Sequence, residues 1–495
     1  MKTVLGLDLG TQSLKALFYD FSGRKVVACE SAALGLDQRD DGAAEQHAQW
    51  WLDALHQALA KVDPDIVASA VAIGVSGQQH GFVPLGKTGE VLAPVKLWCD
   101  TSTVAECDEI TAAYGGAQQC IDEVGNPILV GYTASKIRRF AMQGGPLYEQ
   151  LDCILLPHDY LNFYLTGERC MEAGDASGTG FLDILERGWS RRMLQAIDPH
   201  RNLLECLPPL RDQPGVIGCV RPEVAQLTGL TAGIPVSTGG GDNMMGAIGT
   251  GNLSPGTVTM SMGTSGTVYA YSEKPVIDPT GEIAAFCSST GGWLPLLCTM
   301  NCTVATEQAR GLLGTDLSAF ENLVRRSPIG AEGVITLPFY NGERTPNLPR
   351  ARACVLGLDT RNNRPENLLR SALEGATFAL RYGVDRMRTL GISATDIVLT
   401  GGGSGSAAWR QAVADICNVP VTILHQDEGA AFGAALQALG ILESCDPSDL
   451  QHLANDHLTR NEAKSCEPDD AAVTLYEEAY QHYQHALNAL TPLYS

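Results

Sequence analysis

One short pattern occurs twice, about half the chain apart, and it limits the architectures open to this sequence more than any other feature. Val4, Leu5, Gly6 and Leu7 lead into Asp8-Leu9-Gly10-Thr11-Gln12-Ser13, and Leu14 to Tyr19 run apolar again. At the second place Val258-Thr259-Met260-Ser261-Met262 leads into Gly263-Thr264-Ser265-Gly266, and Thr267-Val268-Tyr269 follows. Each copy has the form of a β-hairpin, in which a glycine and small polar residues make a tight turn between two β-prone runs. Two copies in 495 residues predict two domains of one topology, each opening with such a hairpin. The Gly/Ser/Pro-rich stretch from Gly249 to Gly256 marks the seam, which gives an N-terminal domain at 1–250 and a C-terminal domain at 251–495.

Around the hairpins, helical and strand patterns alternate. Trp51, Leu55 and Leu59 share a face and predict a helix over 45–62, and an apolar run predicts a buried strand over 66–75 that ends at Ser76-Gly77. The second half predicts a long helix at 366–390, then a strand at 397–400 running into Gly401-Gly402-Gly403. A helix at 407–417, a strand at 419–424, a helix at 430–439 and a final amphipathic helix at 470–490 complete it. Such alternation implies a layered α/β architecture. With 44% hydrophobic residues the chain can build large cores. Its net charge of −22 repels phosphate backbones and anionic lipid, so neither nucleic acid nor a membrane is an expected partner. A small anionic ligand held locally stays open. The fifteen cysteines are scattered without a CxxC pair, as expected of buried thiols in a reducing cytoplasm. Asp8 interrupts the short N-terminal apolar run, which argues against a signal peptide.

Gly81-Phe-Val-Pro-Leu-Gly86-Lys87-Thr88 fits the GxxxxGK[ST] phosphate-loop pattern letter for letter. The physics opposes it. Bulky Phe82, Val83, Pro84 and Leu85 stand where small residues must wrap a phosphate, and Gly89 and Pro94 prevent a helix from starting at Lys87. A β-turn at Gly86–Gly89 is the expectation instead.

Four other elements carry chemistry. Asp8 ends a strand beside the Gly10-Thr11 turn, which offers a carboxylate for hydrated Mg²⁺ and N–H groups for phosphate. Gly263-Thr264 is its counterpart. Gly401-Gly402-Gly403-Ser404-Gly405-Ser406 lies between a strand and a helix, where glycines let a nucleotide approach and a helix N-terminus favours negative charge. Gly239-Gly240-Gly241-Asp242-Asn243 puts an acid at the mouth of a strand, placed to take a proton from a substrate hydroxyl.

In order along nearly the whole chain, these residues resemble the FGGY family of carbohydrate kinases. Further matches are Gly77-Gln78-Gln79-His80-Gly81, Leu156-Pro157-His158-Asp159-Tyr160-Leu161 and Asp175-Ala176-Ser177-Gly178. Gly342-Glu343-Arg344-Thr345-Pro346 and Leu373-Glu374-Gly375 extend them. The resemblance implies a two-domain α/β ATPase of the actin/hexokinase/heat-shock-70 type, with ribonuclease H-like domains and an interdomain cleft that closes on its ligands. The 77–81 loop is most similar to the branch that phosphorylates D-xylulose to D-xylulose 5-phosphate for the pentose phosphate pathway; ribulose and gluconate are the alternatives. By this resemblance Asp242 is the general base. Gln79, His80, Asp242 and Asn243 hold the sugar, and Asp8 and Asp242 bear on Mg²⁺. Thr11, Gly263 and Thr264 lie near the transferred phosphate of ATP, and Gly402, Gly403 and Ser406 line its adenosine side.

The chain departs from the family pattern at Arg139, where Trp is usual after Lys136, and at His158, Cys99 and Ser406, where Lys, Asn and Asn are common. These bear on selectivity more than on reaction class. His482 and His485 are expected in solvent, Trp50 and Trp51 as one half-buried and one core residue, and Glu343-Arg344 either as a structural ion pair or as a catalytic one. A non-catalytic actin-like nucleotide switch is the rival from another class; it needs the hairpins but not Asp242-Asn243 or Gln79-His80. The oligomeric state, monomer or homodimer, is left open.

Overall fold

The computed structural model describes residues 1–426, 428–444 and 447–494. They form two compact units. The first comprises Met1–Leu253, Ser272–Leu294 and Glu428–Leu458; the second comprises Ser254–Tyr271, Pro295–Asp427 and Thr459–Ser495. A single cut at 250/251 does not describe these units, because two later segments return to the first.

Each unit is built on its own sheet, and the two sheets follow one pattern. In the first, β1 (Thr3–Leu9), β2 (Ser13–Asp20) and β3 (Lys25–Ala33) make an antiparallel meander. β4 (Ala70–Gly77) lies parallel to the free side of β1. β5 (Val216–Cys219) and β6 (Pro235–Ser237) complete the order β3-β2-β1-β4-β6-β5. In the second, β7 (Thr257–Met262), β8 (Gly266–Ala270) and β9 (Leu296–Thr299) repeat the meander. β10 (Asp396–Thr400) runs parallel to β7 and β11 (Val421–Thr422) parallel to β10, giving β9-β8-β7-β10-β11. The two Gly-Thr hairpins thus open two sheets of one connectivity.

Strand alternation sorts β1 into two faces. Leu5, Leu7 and Leu9 join Trp51 and Leu55 of the helix Ala48–Ala60 in the main core of the first unit. Gly6, on the other face, meets the helix Gly429–Leu442 at backbone distance. A Cβ on Gly6 would lie 1.9 Å from Ala431 O, one on Gly74 2.0 Å from Ala434 O, and one on Gly433 1.8 Å from Met245 O. Only hydrogen fits in these places, so the Gly/Ala composition of this helix seats it against β1, β4 and the helix Asp242–Gly249. That close packing is why Glu428–Leu458 belongs to the first unit.

Most expected elements are present, with two differences. The strand placed at 66–75 begins only at Ala70, because Asp63 caps a short helix at Pro64–Ala68 by accepting from Asp65 N at 2.8 Å. Pro64 sits at the helix start, where its missing N–H costs nothing. The strand placed at 419–424 shrinks to Val421–Thr422: Val419 N still closes the preceding helix on Ala414 O, and Pro420 has no N–H to give. Gly86–Gly89 is a turn, with Gly89 N on Gly86 O at 3.0 Å, after the strand Val83–Leu85. His482 and His485 are exposed, Trp51 is buried and Trp50 half-buried. Glu343 accepts from Met300 N, Asn301 Nδ2 and Arg344 N, so backbone amides and an amide side chain hold its carboxylate. Among the described residues no helix is long and apolar enough to cross a membrane.

Candidate active site

Asp8 and Asp242 are brought together by strand order. Asp8 is paired with Ser76 across β1 and β4, and Gly240 is paired with Ser76 on the other side of β4. The chain then turns at Gly241 into the helix that begins with Asp242. Ser76 Oγ donates to Asp8 Oδ1 at 2.8 Å. The turn ahead of Asp242 is held from behind. Gln437 Oε1 accepts from Ser237 Oγ and Gly239 N, both at 2.7 Å, and Asn162 Nδ2 donates to Thr238 O at 2.8 Å.

The Asp242 carboxylate is bound on one side only. Its Oδ1 accepts from Asn243 N at 2.8 Å and Asn243 Nδ2 at 3.0 Å, while Asn243 Nδ2 also donates to Gln79 Oε1 at 2.9 Å. Among the described residues Oδ2 has no protein partner. Burial, then the charges of Asp8 and Asp175, push the Asp242 carboxyl up to about 7. Asp8 is raised as well, chiefly by burial, with Ser76 and Lys15 opposing. Lys15 lies opposite Asp8 in the hairpin and is ion-paired with Glu428 at the start of the glycine-rich helix. Burial works against the Lys15 charge, but Glu428 and Asp8 outweigh it and hold the ammonium above its usual range.

A buried charge cluster backs this pair; the sequence placed His158, Asp159 and Asp175 in matching motifs, with His158 bearing on selectivity, but did not bring them together or single out Glu172. His158 Nδ1 lies 2.7 Å from Asp175 Oδ2 and its Nε2 2.9 Å from Asp159 Oδ1, with all three side chains fully buried. The two carboxylates overcome desolvation and hold the imidazole protonated well above its ordinary value. Glu172 accepts from Gly174 N at 2.8 Å and from Asp175 N, and burial lifts it to about 7.

His80 follows β4 in a left-handed backbone conformation, φ 64°. Its ring lies against Tyr132 and Phe286, with centroids 5.0 and 5.8 Å away. Gly178 makes room for it, since a Cβ there would come within 2.2 Å of the ring. Lys136, fully buried, donates to His80 O at 2.6 Å and Gly131 O at 2.7 Å. Burial pulls its ammonium down to about 7. Arg139, one turn further along the same helix, pairs with Glu106 at 2.8 Å and does not reach this cluster.

Thr11 stands apart. Its hydroxyl donates to Gln78 Oε1 at 3.0 Å and accepts from Trp98 Nε1 at 2.9 Å, within a network that includes Gln46 and Trp51. Any phosphate contact at Thr11 therefore falls to its backbone.

In the second unit, parallel pairing of Ser261 with Thr400 lets the Gly263-Thr264 turn and the 401–405 loop leave adjacent strand ends. A Cβ on Gly401, φ 84°, would lie 2.8 Å from Met262 C, and one on Gly403 2.9 Å from Met262 Cβ. Gly402 is exposed with open space where a side chain would stand. The carbonyls of Gly263 and Thr264 accept from Thr303 N and Cys302 N, both at 2.9 Å, at the head of the helix Thr303–Leu313. Ser406 caps the helix Ala407–Cys417 by accepting from Trp409 N at 3.2 Å, and donates to Glu321 Oε2 at 2.5 Å. Its hydroxyl is thereby committed within the protein.

Residues 3–249 match the N-terminal domain of the FGGY family of carbohydrate kinases, and residues 258–440 match its C-terminal domain. The chain belongs to the FGGY family. Among curated FGGY relatives, a xylulose kinase from Haemophilus influenzae is 43% identical over 98% of this chain and 99% of its own length. A solved "xyloylose kinase" from Brucella ovis superposes with a TM-score of 0.90 at 31% identity, covering 99% of this chain and 100% of that one. A gluconate kinase from Lactobacillus acidophilus shares the fold, with a TM-score of 0.90 at 24% identity over 100% of this chain and 99% of that one.

Proposed function

We propose that this carbohydrate kinase phosphorylates D-xylulose with ATP, giving D-xylulose 5-phosphate and ADP. The observation that carries the reading is the half-bound carboxylate of Asp242. Asn243, itself bonded to Gln79, fixes one oxygen and leaves the other to accept the proton of the C5 hydroxyl as it attacks the γ-phosphorus. A base whose carboxyl sits near 7 suits proton transfer at neutral pH. Gln79, Asn243 and His80 supply the amide and imidazole groups that a polyhydroxy chain needs.

Asp8 and Asp242 fit a hydrated Mg²⁺. Mg²⁺ keeps several waters and takes one or two carboxylates, and the Asp8 charge helps to raise the Asp242 carboxyl, a repulsion that a shared cation relieves. When bound, the ion neutralises charge on the phosphate oxygens. Gly263, Thr264, Gly402 and Gly403 of the second unit are the nucleotide residues of this reading, supported by the open approach at Gly402.

An ADP-release assay over D-xylulose, D-ribulose, gluconate and glycerol tests it. The highest kcat/KM is expected with D-xylulose. A higher value with gluconate would move the chain to the sugar-acid kinases, and ATP turnover indifferent to every sugar would favour the nucleotide-switch alternative.

A further inference from the structure

We infer that Lys136 is a positioning residue for the sugar: it holds His80 in its left-handed backbone conformation and so sets where the imidazole points. A residue with a Cβ avoids positive φ unless its surroundings enforce it. At His80 the enforcement is visible. Its carbonyl receives two hydrogen bonds, from Lys136 Nζ at 2.6 Å and from Thr133 Oγ1 at 3.1 Å. Lys136 Nζ also donates to Gly131 O at 2.7 Å, which ties the start of the helix Thr133–Gln143 to the 77–81 loop. On the far side the ring is confined by Tyr132, Phe286 and the bare backbone of Gly178.

Lys136 is an expensive way to fill a core. Its ammonium is fully buried, and its hydrogen bonds go to carbonyls. An apolar side chain would pack there without the desolvation penalty of an ammonium. What the lysine provides, and an apolar side chain cannot, is a strong donor to the carbonyl of the one sugar-loop residue with positive φ. Lys136 touches no substrate on this account and acts through His80. The inference rests on the proposed sugar role of His80.

Steady-state kinetics with D-xylulose on Lys136→Met, Thr133→Val, His80→Ala and the Lys136→Met/His80→Ala double variant test it. Lys136→Met is expected to raise KM for the sugar about ten-fold, with kcat and KM for ATP within about three-fold of wild type. Thr133→Val should shift the same constant in the same direction by less. In the His80→Ala background Lys136→Met should add under about two-fold, because the residue it positions is gone. An undiminished effect in that background, or equal damage to KM for ATP, overturns the positioning role and leaves the sugar-site reading standing. An unchanged sugar KM in His80→Ala overturns the sugar role of His80 itself, and the inference with it. Should Lys136→Met fail to fold, the same cycle run with Thr133→Val decides.

Discussion

Asp242→Asn keeps the shape of the side chain and the acceptor for Asn243 but removes the charge. The wild-type carboxyl stands at about 7, against an ordinary 3.8. That is about three pH units, or about 4 kcal/mol at ~1.36 kcal/mol per unit. The sign follows from linkage. Below 3.8 the group is protonated whether the chain is folded or unfolded, and it contributes nothing. Between 3.8 and 7 the folded protein holds one proton more than the unfolded chain, so stability falls as pH rises. Above 7 the full penalty is present. An asparagine is neutral throughout and escapes it. In EDTA, without substrates, the variant should therefore melt above wild type at pH 8, by up to about 4 kcal/mol as a ceiling, and level with it near pH 4. Its kcat should fall by ~10²–10⁴, the usual worth of a general base. Thermal melting at the two pH values and ADP release with D-xylulose measure both. A variant that turns over within a few-fold of wild type, or a melting difference that ignores pH, would refute the reasoning.

Two further outcomes are expected. His158→Gln leaves Asp159 and Asp175 buried without their cation and should destabilise by ~3–5 kcal/mol. Because the folded His158 value is raised, its stabilisation is complete below the ordinary 6.5 and fades as pH climbs through the raised value, so the melting gap should narrow in alkali; a gap that widens there would contradict a protonated His158. Ser406→Ala removes a helix cap worth about 1 kcal/mol and should lower the melting temperature while leaving KM for ATP within about two-fold, since the hydroxyl is already committed to Trp409 N and Glu321. A ten-fold rise in that KM would restore Ser406 to the nucleotide site.

What could be read from the chain depended on how local the signal was. The Gly-Thr hairpins and the helices at 407–417 and 470–490 carry their own punctuation: a turn glycine in one case, and Ser406 and Asp469 as caps in the others. The same kind of signal stands at Asp63-Pro64, where cap and proline mark a short helix beside an apolar run whose strand pattern masks it. The return of Glu428–Leu458 to the first unit left no local mark. It is decided by glycines far apart in sequence, Gly6, Gly74 and Gly433, that allow backbones to touch. The proposed site divides likewise. Asp242, Asn243, Gln79 and His80 stand in two short motifs at the ends of neighbouring strands, so their types and positions point to a site. The contacts behind them, Asp175 with His158, Gln437 with Gly239 and Lys136 with His80, join residues 17, 198 and 56 positions apart and form only once the chain has folded. No spacing rule in the sequence brings them together.

The most direct test of the central claim is the identity of the product. Wild-type protein, Mg·ATP and D-xylulose labelled with ¹³C at C5 should yield one phosphate monoester, with ³¹P coupling to the labelled carbon, in step with ADP release. A phosphate on any other carbon, or ADP formed with no sugar monoester, would contradict the account.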